Sequence, residues 1–304
     1  MSYRNQFRHL ALSDNPRDWL GGIKYSSSIP FQKQACLIPH KFEFKSPGDL
    51  VKTVITTVDS DSAGECFLYF QGVITKRDFE EIERKLKAAQ LRKVVRFTFE
   101  DLLNATILRI TPGPEHTLVA HDLYMEIVYK IASIPGHSRH SVSSVGATRF
   151  LDPGVRSKEG DQGLQPMTRG GGNCWPSLII EAGCSEAQEL LRLDAEWWLL
   201  NSESRTRFVI IATLSRDPFR LRIECWKMIT TLTRAVDPSF PQCVQDFDID
   251  SGGVVTSPLG SKELLIPYDC IFDHSSSITQ PIKLTFPELS FLANKIFTHF
   301  GNKR

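Results

Sequence analysis

Apolar positions recur along this chain in two rhythms, every second residue in short runs and every third or fourth in longer ones. Residues 51–58 are almost wholly β-branched and read as a strand. Residues 66–70 form a second short apolar run. Thr75 with Asp78 three positions on marks a helix start. Phe79, Ile82, Leu86 and Ala89 follow at helical spacing between charges, so an amphipathic helix is expected to end near Gln90. Residues 94–99 and 105–110 alternate as two strands around a turn, a hairpin. Pro112, Gly113 and Pro114 interrupt the chain, and a helix is expected over 115–134. There Leu118, His121, Leu123 or Tyr124, Ile127, Val128 and Ile131 recur every three to four positions, until Pro135 and Gly136 stop the pattern.

Residues 141–150 are strand-like, and 152–168 are polar with one short strand expected near Gly163 and Leu164. Arg169 and the glycines after it make a turn. A buried strand at 176–182, a helix at 185–201 and a buried strand at 207–214 come next, then an alternating strand at 221–226. Residues 251–260 read as a loop and 264–266 as a late strand. Thr285 and Glu288 form a capping box that opens a terminal helix with Leu289, Leu292, Ile296 and Phe300 on one face. Residues 1–50 show no such rhythm and read as an irregular arm. From Arg96 onward the order is hairpin, helix, strands, helix, strand, strand, helix, which predicts the α/β class: a mixed α+β sheet with helices packed on it. Two parts are expected, an N-terminal α/β extension at 1–91 and a larger domain at 92–304.

Composition narrows the function classes. A chain of 304 residues can form one large domain or two small ones, and 41% hydrophobic with 23% charged residues is usual for a folded protein. The formal net charge of +1 gives no general pull toward nucleic acid, although a local basic groove remains compatible with it. Arg92, Lys93 and Arg96 form one small basic cluster, suited either to phosphate contact or to keeping an edge strand soluble. None of the seven cysteines falls in a Cys-x-x-Cys pair, which argues against structural zinc. Several lie in apolar runs, as reduced thiols of an intracellular protein do, cytoplasmic or nuclear. The amino terminus lacks an apolar signal core, and no run nears the roughly 18 apolar residues of a membrane span.

The nearest approach to chemistry lies between Asp161 and Trp198. Glu181 ends the apolar run Leu178, Ile179, Ile180, where a carboxylate carries a free-energy cost unless it is paired, bound to metal or at a solvent-facing strand end. Asp161, in a segment able to form the neighbouring strand, could bring a second carboxylate beside it. Two such oxygens can hold Mg²⁺ near a scissile phosphate. The alternative is a strand terminus and a surface loop with no common task.

Several strings together resemble a known family: residues 106–110 and 112–116 followed by a helix, Asp161 to Pro166, Trp175 through Glu181 to Glu186, and Leu193, Asp194, Trp197 and Trp198. Over roughly residues 92–230 the chain is similar to restriction-endonuclease-like proteins of fungi. These are related to a large bacterial family within the PD-(D/E)XK nuclease superfamily. The resemblance implies an αβββαβ core whose first helix is 115–134, with Asp161 and Glu181 as the two motif acids. It further implies Mg²⁺ or Mn²⁺ held by Asp161, Glu181, the carbonyl of Ala182 and Glu126 of the first helix. Water would be the nucleophile and DNA or RNA the substrate. The motif's lysine would stand two residues after Glu181, where this chain has Gly183. On the following helix, to which that lysine can migrate, Arg192 is the basic residue, able to stabilise developing charge though not to act as a base. Pro176 is followed by Ser177, where bacterial relatives often show Pro-Asp.

Other residues have plainer readings. Asp194 shares a helical face with Leu190, Leu191 and Trp198 and suits a hydrogen-bonded strut. Trp197 and Trp198 suit core and rim more than base stacking. Ser185 suits a helix cap; His116 suits a helix start; His137 and His140 flank a turn. Two functions follow. One is metal-dependent phosphodiester hydrolysis. The other is a nuclease fold without its lysine, inactive, serving as a binding or scaffolding module. The N-terminal extension could also carry the biological role by binding a protein partner.

Overall fold

The structure, a computed structural model, describes residues 28–60, 64–111, 113, 115–146, 148–152, 155–170, 174–184, 187–230, 239–273 and 280–301. In chain order the first elements are α1 (Ile29–Leu37), β1 (His40–Glu43), α2 (Pro47–Asp59), β2 (Cys66–Gln71), α3 (Lys76–Ala88), β3 (Val95–Glu100), β4 (Ala105–Ile110) and α4 (Glu115–Ala132). Then come β5 (Val142–Ser144), β6 (Arg149–Asp152), β7 (Arg156–Glu159), β8 (Gln162–Pro166), β9 (Leu178–Cys184), α5 (Gln188–Asn201), β10 (Phe208–Arg216), β11 (Phe219–Thr230) and β12 (Ser239–Asp250). The chain ends with β13 (Val255–Thr256), β14 (Glu263–Ile266), α6 (Tyr268–Ile271), β15 (Ile282–Thr285) and α7 (Phe286–Gly301).

Among the described residues the strands make a six-stranded sheet, β1-β2-β4-β3-β7-β6, a seven-stranded sheet, β13-β12-β11-β10-β9-β8-β5, and a β14–β15 pair. The fold is therefore mixed α/β, as the order of patterns predicts. β1 runs parallel to β2. β9 runs parallel to β10, with α5 as the crossover between them. The remaining neighbours are antiparallel.

Alternation gives each sheet two buried faces and stacks the molecule in layers. On the six-stranded sheet, Leu68, Phe70, Val95, Phe97, Phe99, Leu108 and Ile110 face Leu50, Val51 and Val54 of α2 and Ile82 and Leu86 of α3. The opposite face turns Phe67, Tyr69 and Ile107 toward α1, α5 and the seven-stranded sheet's Ile179, Val209 and Ile211. The far side of the seven-stranded sheet, with Leu178, Ile180 and Ala182, packs on α4 and α7. Alternate residues of β9 thus look into different layers, and Glu181 looks into the middle one.

Several elements differ from the pattern reading. Residues 51–58 are helical. Ser46 accepts the Asp49 N–H at 3.2 Å, Pro47 stands in the first turn, and Leu50, Val51 and Val54 recur at helical spacing. Burying that stripe outweighs the weak helix preference of β-branched residues, a few tenths of a kcal/mol each by rough measure. Of residues 1–50, those from 28 onward include α1 and β1; 1–27 lie outside the described residues. The polar stretch 152–168 holds β7 as well as β8, and β12 is a long strand where no strand is expected. β3 and β4 sit between β2 and β7, so the six-stranded sheet draws on both sides of residue 91. The expected capping box forms at Thr75 with Asp78, and at the start of α7 Glu288 accepts the Thr285 N–H at 2.8 Å and the Thr285 hydroxyl at 2.9 Å.

Candidate functional site

β8 and β9 pair with Gln162 opposite Ile180, which sets Asp161, just before β8, beside the middle of β9. Asp161 Oδ2 accepts the Ala182 N–H at 3.1 Å. The two acids do converge, and a third residue lies between them. Arg109 of β4 donates from one nitrogen, Nη1, to Asp161 Oδ2 at 2.9 Å and to Glu181 Oε2 at 3.0 Å. Its Nη2 donates to the carbonyl of Ala182, and its Nε to Glu65 Oε1. The other oxygen of Glu65 accepts the Cys184 N–H at 2.7 Å, and Glu181 Oε1 accepts Trp198 Nε1 at 2.7 Å. Arg96 Nε stands 3.5 Å from Asp161 Oδ1. Side-chain exposure is 5% for Arg109, 3% for Glu65, 2% for Asp161 and 1% for Glu181.

Three carboxyl groups on one guanidinium in a dry layer cannot all ionise at ordinary cost. Burial alone would raise Asp161, but Arg109, His116, Arg96 and the Ala182 N–H outweigh it and hold the group at about 2. Glu181 goes the other way: burial and the Asp161 charge push it up to about 8, against Lys158 and Arg109. Burial also raises Glu65, with Arg109 opposing. Burial disfavours the charged form of Arg109, yet Asp161, Glu65 and Glu181 outweigh that and hold it well above its ordinary value.

Gly183 occupies the position where the resemblance would place a lysine. A Cβ there would come within 2.4 Å of Glu65 Oε2 and 2.9 Å of Leu191 Cδ1, so Glu65 fills the space a side chain would need. Arg192 is not brought to the acids. It donates to Glu224 from Nε at 2.9 Å and from Nη2 at 2.5 Å, and Glu224 lies two strands from Glu181 across the sheet, about 10 Å away. Glu126 is also not brought in. It lies on α4, which packs on the face of β9 opposite Glu181, and about 15 Å along that helix from His116. Only Ala182, through its carbonyl, joins Asp161 and Glu181 as expected.

The plainer readings hold where they can be followed. Asp194 is a buried strut that accepts Gln34 Nε2 at 2.9 Å and Lys158 Nζ at 2.5 Å, tying α5 to α1 and β7. Trp197 and Trp198 are core residues, stacked edge to face against each other. His116 is buried with its Nε2 3.0 Å from Thr111 Oγ1, and burial lowers its pKa. His137 Nε2 lies 3.0 Å from Tyr268 Oη. All seven cysteines are free thiols. Ser185, Glu186 and residues 171–173 lie outside the described residues.

Sequence reasoning missed Arg109, Glu65 and Lys158. Arg109 had a signal. It stands in the apolar run 105–110, where the cost that flags Glu181 applies equally to a cation. Lys158 lies three residues before Asp161 rather than after Glu181. Glu65 has no periodic context that marks it.

The donor set does not fit a metal ion in this arrangement. The oxygens of Asp161, Glu181 and Ala182 that would hold the cation are engaged by a guanidinium that is already a cation. Among the described residues no group of three or more His, Cys, Asp or Glu is arranged to hold a metal. No helix among them is long and apolar enough to cross a membrane. No family model matches the chain, and no curated protein matches it.

Proposed function

We propose that the chain is a restriction-endonuclease-like protein that serves as a binding or scaffolding module and does not cleave phosphodiester bonds. Two features support the nuclease-like ancestry. The order α4, β5, β8, β9, α5, β10 follows the αβββαβ scheme, with β5, β8, β9 and β10 adjacent in one sheet. The acids expected from the resemblance stand together on β9 and at the entry to β8.

The observation that carries the inactive reading is burial of both acids beneath the six-stranded sheet. Hydrolysis requires a phosphate, a nucleophile and the stabilising groups within about 3–3.5 Å of one another. Glu181 spends its oxygens on Trp198 and Arg109, and Asp161 spends Oδ2 on Arg109 and the Ala182 N–H. Glu65 closes the side of β9 at Gly183, the position of the motif lysine.

The test is cleavage of plasmid and single-stranded oligonucleotides in Mg²⁺ and in Mn²⁺, wild type beside Glu181→Ala. Neither protein is expected to cut above buffer. Cutting by the wild type that disappears in the variant would establish the metal-dependent nuclease instead.

A further inference from the structure

We infer that Phe79, Phe97 and Phe99 form an aromatic cage for a methylated lysine carried on an extended peptide, and that Arg149 of the edge strand β6 plugs this cage from within the chain. The cage lies on the α3 side of the six-stranded sheet, the face opposite Arg109 and the buried acids. It therefore does not rest on the nuclease-like reading.

The rings come from two elements. Phe97 and Phe99 of β3 lie nearly parallel, their centroids 5.7 Å apart, and Phe79 of α3 meets them edge-on at 5.3 Å and 5.6 Å. Arg149 Cζ stands 3.7 Å from the Phe79 centroid, 4.8 Å from that of Phe99 and 5.9 Å from that of Phe97. All three fall within the roughly 6 Å over which a ring face attracts a cation. Glu159 faces Arg149 across the β6–β7 register and adds a buried carboxylate, whose Oε1 accepts Arg149 Nη2 at 3.3 Å.

The cage suits an alkylated ammonium better than it suits arginine. A guanidinium presents a fork of N–H donors, and phenyl rings offer them no oxygen. Among the described residues the buried Arg149 Nε has no hydrogen-bond partner. Glu159 Oε1 is shared with Arg92 Nη2, which holds it at 2.7 Å. Burial lowers the pKa of Arg149 although Glu159 and Glu83 oppose it. A trimethylammonium head has no donor to leave unmet, and its methyl groups pack directly on the rings.

The way Arg149 enters points to the kind of ligand. β6 ends the sheet and pairs with β7. Its arginine reaches the rings sideways from an extended strand, with 21% of the side chain still in solvent. A lysine on an extended peptide has a similar reach and can take the same path.

The experiment is calorimetric titration of the full chain with three probes. They are N-acetyl-trimethyllysine amide, its neutral isostere with a tert-butyl head, and phosphocholine. Wild type is compared with Arg149→Ala and with Arg149→Ala combined with Phe79→Ala. Arg149→Ala is expected to bind the trimethyllysine probe at least about tenfold more tightly than wild type, in which the probe must displace Arg149. It should also prefer that probe to the neutral isostere by about tenfold or more. Adding Phe79→Ala should remove the gain. If Arg149→Ala does not fold alone, recovery of native circular dichroism with the trimethyllysine probe but not the isostere supports the inference, and no recovery overturns it. Equal binding of probe and isostere would reveal an apolar hollow only and overturn it. Equal affinity in wild type and Arg149→Ala, or no binding by a folded Arg149→Ala, would do the same. Tighter binding of phosphocholine than of the lysine probe would assign the cage to a lipid headgroup and overturn the peptide ligand.

Discussion

The proton on Glu181 bears directly on the stability of the fold. The carboxyl titrates near 4.5 when unconstrained and is pushed up to about 8 in the folded chain, chiefly by burial and by Asp161. Folding therefore takes up a proton between those values, and stability falls as pH rises through them. His116, whose pKa burial lowers, acts in the opposite sense, so comparison with a variant isolates the carboxyl. The unfolding temperature of Glu181→Gln should fall less than that of wild type between about pH 5 and pH 8. Parallel pH profiles for the two proteins would reject the assignment. Asp161, held at about 2, contributes stability that is present above its ordinary value of 3.8 and is lost as pH falls toward 2.

At the scale of elements, β9 owes its position to the absence of a side chain at Gly183. Gly183→Ala should lower the unfolding free energy by about 1–3 kcal/mol, because Glu65 Oε2 and Leu191 Cδ1 must both move. Equilibrium urea unfolding reads this directly, and an unchanged midpoint would contradict it. Much of this level was legible in the sequence. The helices α3, α4, α5 and α7 and the strands β9, β10 and β11 follow their apolar periods and caps, because each buries a regular stripe. The failures have separate causes. α2 carries β-branched residues whose helical spacing and Ser46 cap were the better guide. β12 buries few large apolar side chains, Phe247 and Ile249, and is held along its length by β11, so its pattern is faint. In the site, the apolar run ending in an acid singled out Glu181, while its pairing with Asp161 came from the resemblance, since the run alone left a strand terminus and a surface loop open as well. That Arg109 would meet them was legible in neither, since it depends on two sheets facing each other.

For the molecule as a whole, the six-stranded sheet cannot be separated from the rest at residue 91. A fragment of residues 92–304 would lack α2, α3, β1 and β2. It would expose Val95, Phe97, Phe99, Leu108 and Ile110, and would leave Arg109 without Glu65. Expressed alone, it should aggregate or stay expanded by size-exclusion chromatography and show no cooperative melt by circular dichroism. A monomeric fragment with a sharp transition would disprove this. The chain also crosses between the sheets repeatedly: from β4 through α4 to β5, from β5 to β6, and from β7 back to β8. The β6–β7 hairpin is thus lent by one half of the molecule to the other and clasped there by β3. A protease nick at any single crossing leaves the pieces tethered by the others. Any swing of one sheet against the other would have to move all of these crossings together.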